Sequence, residues 1–231
     1  MAIDKQGILN ALHHRLIVSV QALVGNPLRD THCIARLAEA AVIGGAAGIR
    51  ANGVADLTAI RERVSVPIIA INKLPPDPVK PYITPTIESA REIAGLGEII
   101  AVDATLRPDK NRAAELIRQI HAEIDCLVMA DISTVEEGIA AAEAGADIVS
   151  TTLSGYTPYT VKTEGPDLET VRKLAETLSV PVIAEGRYLT PEDVDAGIRA
   201  GAWAVVIGKM ITNAMFITRQ FIGKSHELIH D

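Results

Sequence analysis

The sequence predicts a closed (β/α)8 barrel of the TIM type, and three features predict it. Eight short runs rich in Val, Ile and Ala recur along 231 residues, each nearly continuous in apolar character at its start. Parallel strands covered on both faces read this way, whereas strands with one wet face alternate. Segments with helical spacing fill the gaps between the runs, and polar residues gather at the runs' C-terminal ends, where such barrels assemble their sites. A doubly wound open sheet would show fewer strands and a Gly-rich phosphate turn after the first, and no such turn is present.

Residues 1–14 read as an N-terminal extension within a single domain spanning 1–231, and LIVSVQAL (16–23) is the first strand. AGIRA (47–51) is the second, entered at Gly45-Ala46, where glycine supplies a left-handed helix terminus. PIIAINK (67–73) starts behind a proline and ends in a lysine. The irregular stretch after it, LPPDPVKPYITP (74–85), reads as an active-site loop rather than a domain boundary. EIIAVDAT (98–105) and LVMADI (127–132) follow as strands four and five. The next helix has Ser133 or Thr134 as its cap, with Glu136 and Glu137 in its first turn. DIVSTTL (147–153) enters from Gly145-Ala146, and PVIAEG (181–186) again stands behind a proline. Thr190 before Pro191 makes a cap and first helical position; that helix stops at Gly201-Ala202 and leads into AVVIGK (204–209), the eighth strand.

Composition narrows the function. Hydrophobic residues make up 48% of the chain and aromatics 3%, so the core rests on Ala, Val, Ile and Leu, which suits helix-on-sheet layers. With 22 Lys plus Arg against 29 Asp plus Glu, and no basic run, neither nucleic acid nor an anionic membrane is an expected partner. Any anion site must be local. Cys33 and Cys126 form no motif and read as buried free thiols of a reducing compartment. The six histidines show no H-x-x-x-H or His/Cys spacing, so no metal is expected, and His13 and His14 read as surface residues. The first residues lack the apolar core and cleavage site of a signal peptide, and AEAAVIGGAAGI is too short to span a bilayer. A cytoplasmic protein is expected.

The polar residues at the strand ends are Gln21, Arg50, Lys73, Asp103, Asp131, Ser154 and Glu185, with Arg187 just beyond. Any one of them is most simply a cap or turn residue, Asp103 and Ser154 above all. Together they are harder to dismiss, because a closed barrel brings these ends to one mouth. Residues two apart on a strand share a face, so Glu185 and Arg187 are expected to point together, as are Ile71 and Lys73. Lys73 and Glu185 would then reach one pocket from strands three and seven. Arg50 and Arg187, if they flank Lys73, would push its pKa down.

LIVSVQAL, GAAGIRANGV, PIIAINK, YITPT, MADISTVEEG, STTLSGYTPY, PVIAEGRYLTPE and GAWAVVIG follow one another through the chain. Together, over roughly residues 15–222, they resemble the N-acetylmannosamine-6-phosphate 2-epimerase family of sialic acid catabolism. The resemblance implies interconversion of N-acetyl-D-mannosamine 6-phosphate and N-acetyl-D-glucosamine 6-phosphate, without organic cofactor or metal. It implies Lys73 and Glu185 as the catalytic pair, and Gln21, Arg50 and Asp131 as substrate contacts, with Arg187 beside them.

Inverting C2 requires removal of a proton alpha to C1 of the opened sugar, by a neutral base, and return of a proton to the other face. Glu185 could supply that proton or position Lys73, and one lysine could serve both faces. At the phosphate end the family reads G-[small]-x-I-T-R, and this chain reads GKMITN. Gly208 and the helix start still offer backbone N–H groups, and Lys209 is the cation placed to replace the arginine missing at Asn213. Leu74 likewise stands where the family commonly has arginine. The competing enzyme reading is a Schiff-base aldolase acting on a phosphorylated sugar, for which a barrel lysine also serves. A non-catalytic phosphosugar-binding barrel ranks below both. A homodimer is compatible with the sequence, which does not specify the oligomeric state.

Overall fold

The computed structural model of the chain describes residues 3–75, 77, 79–107, 109 and 111–229. All eight expected strands form: β1 Arg15–Val20, β2 Gly48–Asn52, β3 Ile68–Ile71, β4 Ile99–Asp103, β5 Leu127–Asp131, β6 Ile148–Ser150, β7 Val182–Glu185 and β8 Ala204–Ile207. They pair in parallel and in chain order, and β8 closes on β1, with Val18 opposite Ile207. The helices that return the chain are α2 Thr31–Ile43, α3 Val54–Arg61, α4 Ile87–Glu92, α5 Arg112–Glu123, α6 Val135–Glu143, α7 Leu168–Thr177 and α8 Pro191–Arg199. After β8 come the short α9 Lys209–Thr212 and α10 Ala214–Ile229. No helix among the described residues is long and apolar enough to cross a membrane.

The helix signals act as their chemistry requires. Thr134, rather than Ser133, caps α6 in a reciprocal box with Glu137, and Thr190 caps α8 with Asp193 and Pro191 behind it. Gly45, Gly145 and Gly201 all take positive φ where a helix turns into the next strand.

Two apolar layers separate inside from outside. Ile17, Ile69, Ile99, Met129, Ile148, Ile183 and Val206 fill the barrel interior, and alternate residues such as Val18, Ile100, Val128 and Val205 pack under the helices. The floor is closed by α1, Lys5–Leu12, so the N-terminal residues are part of the core rather than an appendage. Leu12 is buried among the interior residues, with Ile8, Leu9 and Trp203 around it. Burying one leucine is worth about 1.5–3 kcal/mol. Gly48 makes room for it, since a Cβ there would lie 2.8 Å from Leu12 Cδ2. With the bottom plugged, the open end of the barrel is the mouth at the strand tips.

Cys126 is buried as expected, and burial pushes its thiol up to about 12. Cys33 is only half-buried, because α2 turns it away from the helix face that carries Ile34, Ala35 and Ala38. His13 and His14 are exposed, and His13 lies against Trp203 with ring centroids 4.0 Å apart.

Candidate active site

Strand alternation aims Ser19, Arg50, Asp131, Ser150 and Glu185 inward at the top of the barrel. Arg50 is fully buried and meets Asp131 in a two-pronged pair, NH1 to Oδ1 at 3.1 Å and NH2 to Oδ2 at 2.6 Å. The same guanidinium lies 3.2 Å from Glu185 Oε2. Thr152, just past β6, places its Oγ1 2.6 Å from Asp131 Oδ1 and 3.1 Å from Glu185 Oε2, and Ser150 Oγ is 2.9 Å from it.

Lys73 stands on the other side of the mouth. Its backbone N–H donates to Asn52 Oδ1 (2.8 Å), and it bridges to Ile83, so residues 82–84 fold back across the tips of β3 and β4. Its Nζ donates to Gln21 Oε1 at 2.7 Å, and Gln21 in turn donates to Ser19 Oγ at 2.7 Å. Among the described residues Lys73 forms no ion pair. It therefore does not touch Glu185, although each of the two charges still acts on the other. Burial, and next the Arg50 charge, lower the Lys73 pKa from its ordinary 10.5 to about 8, against the opposing pull of Glu185 and Asp131. Burial raises the Glu185 pKa, with Arg50 and Lys73 resisting.

A cleft of about 660 Å³ runs from Gln21 and Lys73 outward over the tips of β1, β2 and β3, between Val24, Asn52, Val54 and Leu74. A cavity of about 710 Å³ at the opposite end, between α1 and the starts of β5 to β8, gathers only Lys5 and Asp147 as charged groups, and these pair with each other at 3.0 Å. The buried polar cluster lies at the mouth. No cluster of His, Cys, Asp and Glu among the described residues is arranged to hold a metal ion.

The barrel thus brings together Gln21, Arg50, Lys73, Asp131 and Glu185. Arg187 is different. Alternation ends at Glu185, because Gly186 and Arg187 take φ of 109° and 62°, and this left-handed pair turns the arginine out of line. Its guanidinium donates to Gly165 O, Ser154 O and Thr163 Oγ1 at 2.8, 2.6 and 2.9 Å, pinning the β6–α7 loop. The cation that depresses Lys73 is Arg50, not Arg187. Gly208 sits at the tip of β8 beside Ser19, and the exposed Lys209 lies with its Nζ 4.3 Å from the Phe216 ring centroid. Asp103 and Ser154 are structural: Asp103 accepts from Arg107 and Thr105, and Ser154 donates to Asp167.

Thr152 and Ser150 were missed by reading charges alone. Their spacing of two in STT put both on the inward face, the one signal available. Glu137 was seen only as a first-turn acid. It is buried and accepts from Ser133, Thr134, Leu106 N–H and Tyr159 O–H, tying three mouth loops together.

A family model described as "Putative N-acetylmannosamine-6-phosphate epimerase" matches residues 34–227. The chain belongs to that family. A relative from Caldanaerobacter subterraneus subsp. tengcongensis, named "Putative N-acetylmannosamine-6-phosphate 2-epimerase", is 47% identical over 219 residues, covering 93% of this chain and 92% of its own. A relative of the same name from Clostridioides difficile is 45% identical over 93% of this chain and 97% of its own. The solved N-acetylmannosamine-6-phosphate 2-epimerase from Clostridium perfringens superposes with a TM-score of 0.88 at 44% identity, covering 94% of this chain and 95% of that one. Geranylgeranylglyceryl phosphate synthase from Thermoplasma acidophilum, at 19% identity and a TM-score of 0.59, shares the fold alone.

Proposed function

We propose that this protein interconverts N-acetyl-D-mannosamine 6-phosphate and N-acetyl-D-glucosamine 6-phosphate, as an N-acylglucosamine-6-phosphate 2-epimerase, by removing and returning the proton at C2 of the opened sugar. The observation that carries this reading is the Lys73 amine, its pKa lowered to about 8, facing Glu185 across the mouth of the barrel. A lysine with its ordinary pKa is almost wholly protonated at neutral pH and cannot act as a base; one near 8 is neutral in about a tenth of molecules at pH 7.

The remaining groups suit the rest of the reaction. As Lys73 takes the C2 proton, negative charge moves to the C1 oxygen. Arg50, held in place by Asp131, and Glu185 in its acid form stand together to stabilise it. Gln21, bonded to the Lys73 amine, lies where an amide on C2 would meet it. The phosphate belongs at the tips of β7 and β8, where a short extra helix, here α9, commonly marks a phosphate site in this fold. There Lys209 would supply the cation that Asn213 does not, and Arg187 would act through the loop it holds. The proton reaches the opposite face either from the same lysine, after the intermediate rotates, or from Glu185.

Incubation with N-acetylmannosamine 6-phosphate in deuterated water tests the reading. The expected product is N-acetylglucosamine 6-phosphate with deuterium at C2 and every C–C and C–N bond intact. Release of a cleavage fragment, with Lys73 trapped by borohydride, would assign the protein to the Schiff-base aldolases instead.

A further inference from the structure

Thr152 lies between the two carboxylates of the site, and its hydroxyl cannot serve both in the same way. A hydroxyl has one proton and two lone pairs. Asp131 Oδ1 is 2.6 Å away and Glu185 Oε2 is 3.1 Å away. If both carboxylates were ionised, one of them would face a lone pair of Oγ1 with no hydrogen between, a repulsive contact in a site with little water to screen it.

The distances decide which contact holds the hydrogen. A separation of 2.6 Å is that of a hydroxyl donating to an anion. Asp131 is also the carboxylate that Arg50 grips with both terminal nitrogens. The Thr152 proton therefore points to Asp131, and a lone pair of Oγ1 points to Glu185. That second contact becomes a hydrogen bond when Glu185 is itself the donor.

We propose that Thr152 is a positioning residue that orders a chain from the Glu185 O–H to Thr152 Oγ1 and from the Thr152 O–H to Asp131, holding Glu185 as a neutral acid until the substrate takes its proton. The proposal deepens the function proposed above, in which the Glu185 proton turns from Thr152 to the C1 oxygen as charge develops there. The groups around Glu185 are Arg50 from β2, Lys73 beyond β3, Asp131 from β5 and Thr152 beyond β6. Burial and Asp131 favour its acid; the two cations favour its carboxylate, as Thr152 would if it were the donor. With these opposed, one hydrogen bond to the acid form tips the balance. The preceding residue fixes the geometry: Thr151 Oγ1 donates to Glu185 O at 3.0 Å and accepts from Glu185 N–H at 3.1 Å, so the glutamate cannot drift from its partner.

The test is a carbon-13 NMR titration of the Glu185 carboxyl, without substrate, with Glu185→Gln as the assignment blank. In Thr152→Val the Glu185 midpoint should fall by about one pH unit, about tenfold in the acid-to-carboxylate ratio, and Thr152→Ser should restore it. In turnover assays kcat should fall in step while KM moves only a few-fold. A midpoint that rises in Thr152→Val would show that Thr152 donates to Glu185, and an unmoved one would show that it does not act on Glu185; either overturns the proposal. Should the valine variant fail to fold, Thr152→Cys against Thr152→Ser compares side chains of one shape and unequal hydrogen-bonding strength, and the midpoint must be lower in the cysteine variant. Because the titration needs no substrate, a wild-type protein that does not epimerise would defeat the proposed function and leave this measurement intact.

Discussion

Replacing Lys73 by methionine should abolish turnover and make the protein more stable. Its pKa falls from the ordinary 10.5 to about 8 on folding, and at about 1.4 kcal/mol per pH unit the folded state bears about 3 kcal/mol for keeping that amine charged. Methionine preserves the stem and removes the charge. It also forfeits the 2.7 Å hydrogen bond to Gln21, worth about 1 kcal/mol, leaving a net gain of about 2 kcal/mol. In a chain of 231 residues each kcal/mol moves Tm by about 2–4 °C, so the variant should melt about 4–8 °C higher at pH 7. The pH dependence is the sharper part. Below pH 8 both the folded and unfolded wild type hold the proton, and the whole difference is present. From 8 to 10.5 the unfolded chain keeps a proton that the folded one has shed, so wild-type stability rises with pH and the gap closes. Melting both proteins from pH 6 to pH 10 would show it. A variant less stable than wild type, or a gap that ignores pH, would refute a lysine held against its ordinary protonation.

Four other outcomes are expected. The kcat/KM profile should be a bell, rising as the Lys73 amine loses its proton and falling as Glu185 loses its own; a steady rise through pH 10 would remove the acid from the mechanism. Arg187→Met should speed tryptic cleavage after the exposed Lys162 at least about tenfold, by freeing three loop hydrogen bonds, while the bell stays in place. A bell that moved would put Arg187 back beside Lys73. Lys209→Ala should raise KM for the 6-phosphate by the ~1.5–3 kcal/mol of one charge-assisted contact; an unchanged KM would leave Lys209 as a partner of Phe216 alone. Tyr188 has a buried hydroxyl with no partner among the described residues, so Tyr188→Phe should stabilise by about 1 kcal/mol in chemical denaturation.

Much of the barrel was legible because parallel strands buried on both faces leave a signal in every residue, and the Gly-Ala helix ends punctuate it. Lys73 and Glu185 were legible for the same reason: a charge at the end of an apolar run has few places to go but the mouth. Arg187 was misplaced because strict alternation was carried one residue past the strand, through a glycine free to take positive φ. Its partners, Ser154, Thr163 and Gly165, lie 22 to 33 residues away, and nothing local announces them. The plug α1 carries Ile8, Leu9 and Leu12 on one face, but eight residues of such spacing look the same on a surface helix as in a barrel floor. Ser150 and Thr152 lay in plain view on the right face and carry no charge to draw notice.

The site's charges explain why an apolar barrel tolerates them. Arg50 and Asp131 neutralise each other at short range, a fixed pair that burial does not break. In the form that carries one proton between them, Lys73 and Glu185 can place it on either group. As lysinium and carboxylate they are an ion pair held apart; as amine and acid they have the same net charge and the same number of protons. Moving that proton changes only where charge sits, so pH does not set the balance between the two forms, and burial does. Desolvation disfavours both ions of the separated pair and neither member of the neutral one. In the proposed reaction the neutral pair is also the reactive one, with a base for the C2 proton and a donor for the C1 oxygen. The closed barrel, by excluding water from the tips of β2, β5 and β7, makes the reactive form available without adding or removing a proton from the site. That dependence on exclusion accounts for the loops pinned around the mouth by Arg187 and Glu137, neither of which lies within the proton-sharing pair.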